Sequence, residues 1–363
     1  MKKAIAAVYM GHKKPFEIRE YPVVEPERGM ARLKLLASGV CGTDVHIHDG
    51  TLGGDGEQII GHEFVGVIDA ADDARAYGLD VGDAVIATIA SPCGKCMLCK
   101  SGDDANCVRM GVTNAGDPNM PPYFHGGYAQ YNFSPLSNLV KIPDSIDPVA
   151  AAVFACAGPT ALHAFALAAQ ANCGVEHARV AVVQGLGPVG MFAAAYLKAL
   201  GIPHVFAITG RTVESRAALA KDFGVDVCYG LDRTPWETLK ADIAAMSDGY
   251  GADVVFEASG NPSAFAQGLD LLRNRGVYLV PGQYSISGSV PVSPEVITFK
   301  ALRIIGSSQY AMDDIRAYLG FLQKRPAFAN KLLSITTRYP VEKVNDAFAD
   351  IRAGRNIKTL LVP

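Results

Sequence analysis

Apolar and polar positions change texture twice along this chain. Up to about residue 150 the apolar stretches are short and closely punctuated by proline and glycine. Residues 31–36 (A-R-L-K-L-L) alternate in part, residues 64–68 are apolar, and residues 80–89 (D-V-G-D-A-V-I-A-T-I) read as a turn leading into a strand. Short strands between frequent turn signals predict a compact, barrel-like β domain. The opening segment begins basic and turns apolar, but the run is short and soon meets His12, Lys13 and Lys14. A first strand therefore explains it better than a signal peptide. Residues 150–171 form the longest weakly charged stretch and contain Gly158, Pro159, Thr160 and His163. A buried helix from about Thr160 is expected there, not a membrane span. From Ala178 onward apolar runs alternate with helical patterns. Residues 179–184 (R-V-A-V-V-Q) read as a buried parallel-type strand. Residues 204–209, 253–257 and 276–280 read as further strands. Repeated strand–helix units imply an open parallel sheet with ligands at the carboxyl ends of its strands. From about Leu302 the texture is mixed again, and no short tandem repeat is visible.

A chain of 363 residues suggests two domains. An apolar fraction of 49% with 19% charged residues is that of an ordinary soluble globular protein. The formal net charge of -3 gives no reason to expect nucleic acid or an anionic membrane as partner. Several of the eight cysteines lie in metal-like contexts, so a reduced cytoplasmic zinc protein is expected rather than a disulfide-bonded secreted one.

The candidate chemistry gathers around G-H-E-F-V-G at residues 61–66. His62 of that hexapeptide joins Cys41, in V-C-G-T-D-V-H, and Cys156, in F-A-C-A-G-P-T. Two thiolates and an imidazole suit a catalytic zinc, and three protein ligands leave the fourth tetrahedral position for water or substrate. Glu63 is a carboxylate within reach of the same metal. Cys93, Cys96, Cys99 and Cys107 follow as C-x2-C-x2-C-x7-C in a lobe of about residues 91–110. Four thiolates close a tetrahedral site, which predicts a second, structural zinc. Similar spacing serves iron–sulfur clusters, but a Cys-His site in the same chain asks for zinc. A DNA-binding zinc ribbon is disfavoured by the acidic balance. Residues 121–131 (P-P-Y-F-H-G-G-Y-A-Q-Y) are either a loop entering a strand or a substrate wall offering Tyr123 and Phe124.

The 179–184 strand runs into Gly185, Leu186, Gly187, Pro188, Val189 and Gly190 and then into an apolar helix. That context is what the G-x-G-x-x-G dinucleotide fingerprint requires: glycines let the backbone approach the pyrophosphate, and the helix N-terminus favours its charge. The next strand should end in an acid that grips the adenosine ribose of NAD. The chain instead reads A-I-T-G-R-T-V-E-S-R, which places Thr209, Gly210 and Arg211 at the cofactor. Counting back from Gly224, Arg211 occupies the acid's place, and a cation there pairs with the 2'-phosphate of NADP. Glu214 is near enough to keep NAD open. Arg216 either helps Arg211 or covers the following helix.

Together these residues resemble the zinc-dependent medium-chain dehydrogenase/reductase family over nearly the whole chain. The resemblance implies an α/β protein: a GroES-like β-rich catalytic domain (1–155 and 305–363) interrupted by a Rossmann doubly wound parallel sheet (156–304), with the active site between them. It implies that Cys41, His62 and Cys156 bind catalytic zinc with Glu63 an alternate ligand, and that Asp44 orients His62. Thr43 and His46 match the family's proton relay, Thr160 the nicotinamide end, and Lys358, in N-I-K-T, a basic residue on the pyrophosphate. Some relatives, polyol and threonine dehydrogenases among them, carry glutamate where Cys156 stands. The implied function is hydride transfer between an alcohol, secondary or cyclic, and NADP, in a homodimer or homotetramer. The other readings are an NAD-dependent polyol, amino-alcohol or biosynthetic-intermediate dehydrogenase of the same fold, and a non-catalytic dinucleotide-binding protein with structural zinc.

Overall fold

A computed structural model describes residues 2–211, 214–283 and 288–363, with the backbone alone at residue 215. The chain forms two units, Met1–Pro159 with Ala311–Pro363, and Thr160–Tyr310. The boundaries expected at 155 and 304 both fall later. Strand Arg303–Gly306 pairs in parallel with Leu272–Val280 and so belongs to the second unit. Cys156 stays with the first.

The first unit is built on a seven-stranded sheet. Its long central strand, Met30–Gly39, turns Ala31, Leu33, Leu35 and Ala37 into the core, and Arg32 outward to Asp69. This is the period-two alternation of a half-buried strand. The inner face packs on Phe64, Ile68, Val85 and Leu139. A second cluster gathers Ala6, Val8, Tyr9, Phe16, Tyr128 and Phe348. Register decides what meets at the end of the central strand. Gly39 lies opposite Glu63 of the antiparallel strand Glu63–Ala70. Gly39 also pairs with Leu360 of Lys358–Val362. Cys41, His62, Glu63 and Lys358 are thus delivered to one corner by strand pairing. A side chain at 39 could not be accommodated there, because its Cβ would lie 2.2 Å from Glu63 Oε2.

The second unit holds six parallel strands in spatial order Val227–Gly230, His204–Thr209, Val180–Gln184, Ala252–Glu257, Leu272–Val280 and Arg303–Gly306. This is the 3-2-1-4-5-6 order of a dinucleotide-binding sheet, with its reversal between Val180–Gln184 and Ala252–Glu257. Every residue of Val180–Gln184 is buried, as strands covered on both faces are. The apolar helix expected near Thr160 spans Ala157–Gln170, starting three residues earlier. Among the described residues, no helix is long and apolar enough to cross a membrane.

The fingerprint turn leads into helix Pro188–Ala199. A Cβ at Gly190 would lie 2.0 Å from the Gly185 carbonyl oxygen, whereas one at Gly187 would meet nothing within 4 Å. Gly190 therefore sets helix–strand packing, and Gly187 leaves backbone open to a ligand. Gly190→Ala should destabilise the protein by about 1–3 kcal/mol through overpacking, read as a lower thermal midpoint, while Gly187→Ala should leave that midpoint within about 0.5 kcal/mol of wild type.

Candidate metal centres and cofactor site

Cys41 caps helix Gly42–Asp49, and its backbone N–H donates to Asp44 Oδ2 at 2.9 Å. Tying the first helical turn to its cap holds the Cys41 thiol beside the end of the neighbouring strand, where His62 and Glu63 stand. Cys156 follows helix Pro148–Val153. One ligand atom from each of Cys41, His62, Glu63 and Cys156 lies within 4.8 Å of the others. Tetrahedral zinc with bonds of about 2.0–2.3 Å needs its ligand atoms roughly 3.3–3.8 Å apart, so a set gathered this closely is compatible with that ion, and two thiols with an imidazole are its usual donors. His62 Nδ1 lies 3.2 Å from Asp44 Oδ1, and Asp44 is fully buried. At that distance the carboxylate favours the tautomer that carries its proton on Nδ1 and leaves Nε2 for a metal.

The charges here shape one another. A hydrogen bond from the Cys156 thiol, reinforced by His62 and Lys358, holds the Cys41 thiol well below its ordinary pKa despite burial. Burial opposes the His62 imidazolium, but Asp44 and Cys41 outweigh it and raise the group well above its usual value. Burial pushes Glu63 up to about 7 against the pull of Lys358. Lys358 is raised as well, Glu63 overcoming burial. The two shifts favour opposite states of Glu63. We take the pair as ionised, because both side chains are 1% exposed and a neutral Glu63 would strand a buried ammonium. Lys358 Nζ donates to Glu63 Oε2 and lies 3.4 Å from the Val40 carbonyl. The resemblance sets Lys358 on a pyrophosphate; in the structure, parallel pairing of Thr336–Pro340 with Lys358–Val362 puts it at the start of its strand, facing the Glu63 carboxylate.

Thr43 Oγ1 lies 3.7 Å from Cys41 Sγ. His46, one helical turn later, places Nδ1 3.1 Å from Thr51 Oγ1. Of the two readings of residues 121–131, the structure takes the plain one for Phe124. Phe124 is wholly buried against Tyr21 and Tyr131, a core residue and not a wall of a site. Tyr123 stacks on Tyr21, with ring centroids 5.4 Å apart. Sequence reading passed over Tyr128, whose hydroxyl donates to Asp44 at 2.8 Å.

Cys93, Cys96, Cys99 and Cys107 form a second four-donor group, all as free thiols. Cys96 Sγ lies 3.4 Å from Cys99 Sγ and 4.0 Å from Cys107 Sγ. These bracket the roughly 3.8 Å edge of a tetrahedron with Zn–S bonds of about 2.3 Å. Backbone N–H groups of Cys93 and Arg109 point at Cys107 Sγ, at 3.2 and 3.4 Å, as thiolate ligands require. Burial and then the neighbouring thiols Cys96 and Cys107 push Cys99 up to about 12. Without a cation the four sulfurs therefore resist full ionisation.

In the second unit, Gly187 is the N-cap of helix Pro188–Ala199. Arg211 lies exposed just past the end of His204–Thr209, where Thr209 Oγ1 donates to its carbonyl at 3.0 Å. Thr212 of the same stretch lies outside the described residues. Glu214 pairs with Arg233 at 2.6 Å. Arg233 sits in the turn after the adjacent strand Val227–Gly230, a second cation near this strand end that sequence reading missed. Arg216 is half-buried on helix Glu214–Asp222, and Thr160 lies on Ala157–Gln170.

Residues 27–144 match the family model described as alcohol dehydrogenase GroES-like domain, and residues 188–324 the model described as zinc-binding dehydrogenase. A sorbitol dehydrogenase of Halalkalibacterium halodurans is 32% identical over 96% of each chain. A 5-exo-hydroxycamphor dehydrogenase of Pseudomonas putida is 30% identical over 99% of each. The crystal structure of an alcohol dehydrogenase from Thermotoga maritima matches all of both chains with a TM-score of 0.90 at 25% identity. Replacing one thiol of the closed four-cysteine group, Cys99→Ser, should remove one zinc per chain and lower the thermal midpoint, with the other zinc retained; metal analysis and calorimetry read both.

Proposed function

The chain belongs to the zinc-dependent medium-chain dehydrogenase/reductase family, the zinc-containing alcohol dehydrogenases, and on that premise we propose that it oxidises a secondary or cyclic alcohol to a ketone with NADP. The observation that carries this reading is the convergence of half-buried Cys41 and Cys156 on buried His62 within one corner of the first unit, with Glu63 beside them. A zinc ion held there would supply a Lewis acid able to bring an alcohol's pKa toward neutrality, and a nicotinamide would supply the hydride acceptor.

The chain's own groups do the rest. Cys41, His62 and Cys156 hold the ion, and Asp44 keeps the His62 ring in one orientation. Thr43, beside Cys41, takes the substrate's proton, and His46 on the next turn of the same helix passes it to solvent. Lys358 keeps Glu63 charged and close without letting a bare carboxylate compete for the ion. The cysteines of residues 93–107 hold a structural zinc.

NADP is favoured over NAD by the absence of an acid where Arg211 stands and by the pairing of Glu214 with Arg233, which occupies the nearby carboxylate. The relatives' names join a sugar alcohol to a ring alcohol, which supports a secondary carbinol as substrate. The sorbitol dehydrogenase also favours a second reading, an NAD-dependent polyol dehydrogenase. The protein is further read as a cytoplasmic homo-oligomer.

Three outcomes are expected. Cys41→Ser should abolish turnover. His46→Gln should lower kcat by about 10²-fold or more and alter its pH profile, as loss of a proton-transfer group does; an unchanged profile removes His46 from the relay. Arg211→Ser should shift kcat/KM from NADP toward NAD by about 10–100-fold, the worth of one charge-assisted hydrogen bond; steady-state kinetics with both cofactors decide it.

A further inference from the structure

The carboxylate of Asp44 is fully buried and beyond reach of water, so its donors come from the protein. The Cys41 N–H reaches Oδ2 at 2.9 Å and the Tyr128 hydroxyl reaches the same oxygen at 2.8 Å, while Oδ1 faces His62. Two of these three groups belong to residues that hold the metal. Tyr128 alone comes from outside, from the turn before strand Tyr131–Pro135. That turn is stitched to the segment before His62: Tyr128 N donates to the Ile60 carbonyl at 3.1 Å and Gly127 N to that of Gly61 at 3.1 Å. The Tyr128 ring rests on Gly61, where a Cβ would come within 2.5 Å of it, and packs near Phe16 and Phe348. Burial, then Asp44, raise the hydroxyl's pKa, so it remains a donor.

We propose that Tyr128 is a positioning residue for the metal: through Asp44 it sets the orientation of His62, and with it the affinity of the Cys41–His62–Cys156 centre for zinc. The proposal rests on the zinc-centre reading above. Without the hydroxyl, Asp44 keeps a single donor on Oδ2. Its carboxylate is then free to rotate, and the imidazole loses its fixed aim. The ring's packing does not depend on the hydroxyl, so Tyr128→Phe isolates the polar contact.

The test uses zinc-loaded full-length protein and competition with a chelator, comparing wild type, Tyr128→Phe, Asp44→Asn and the double variant. Release from the four-cysteine site is identified with Cys99→Ser protein. Tyr128→Phe should weaken the three-ligand site about 10–100-fold, the usual effect of removing a partner behind a metal-bound histidine. The four-cysteine site should be unaffected. The double variant should be no weaker than Asp44→Asn alone, because Tyr128 acts through Asp44. Zinc affinity within twofold of wild type overturns the proposal. So do parallel loss at both sites, which signals general loosening, and additive effects in the double variant. Wild-type protein that takes zinc only at the four-cysteine site overturns the metal reading itself, and the proposal with it.

Discussion

Cys41, Cys156, Asp44 and Glu63 are four groups that carry, or can acquire, negative charge, and they share one corner of the first unit in which Asp44 and Glu63 are buried and the two cysteines half-buried. Placing such a set out of water is costly unless positive charge stands among it. Lys358 supplies one cation, and the geometry of the ligand atoms suits a second, divalent one. Much of the surrounding structure serves this constraint: the glycine opposite Glu63, the cap that folds Asp44 back onto Cys41, and the strand that begins with a buried lysine.

The sheet meets the constraint by register. Ladder positions near Gly39 bring the ends of three strands to the same place, and a short helix starting at Cys41 closes it. Removing either partner of the Glu63–Lys358 pair leaves an uncompensated buried charge, worth about 3–5 kcal/mol. The second unit solves a different electrostatic problem. It presents a helix N-terminus with open backbone at Gly187, and arginines at the ends of two neighbouring strands. Its fold is that of an open sheet that takes ligands where strand order reverses.

Much of this was legible locally. Strand His204–Thr209 lies where its apolar run placed it, and the four cysteines meet because their spacing is short enough for one lobe to close. The convergence of Cys41, His62 and Cys156 was legible from residue chemistry joined to family resemblance. The Lys358–Glu63 pair was not, because its partners stand 295 residues apart and only strand register joins them. The role of Phe124 was ambiguous because an aromatic beside glycines reads alike in a core and in a pocket. The end of the second unit was set too early because Arg303–Gly306, a short edge strand, carries too few residues to show a pattern. Tyr128 and Arg233 were missed because each acts through a partner distant in sequence.

The central claim is that a metal held by Cys41, His62 and Cys156 is what lets this chain oxidise an alcohol. The most direct measurement is NADP-linked oxidation of a panel of secondary and cyclic alcohols before and after selective chelation of the three-ligand site, with zinc counted at each stage. Turnover that disappears with the loss of one zinc per chain, and returns when zinc is restored, is the predicted result. Turnover that persists with that site emptied and the four-cysteine site still filled would contradict the account.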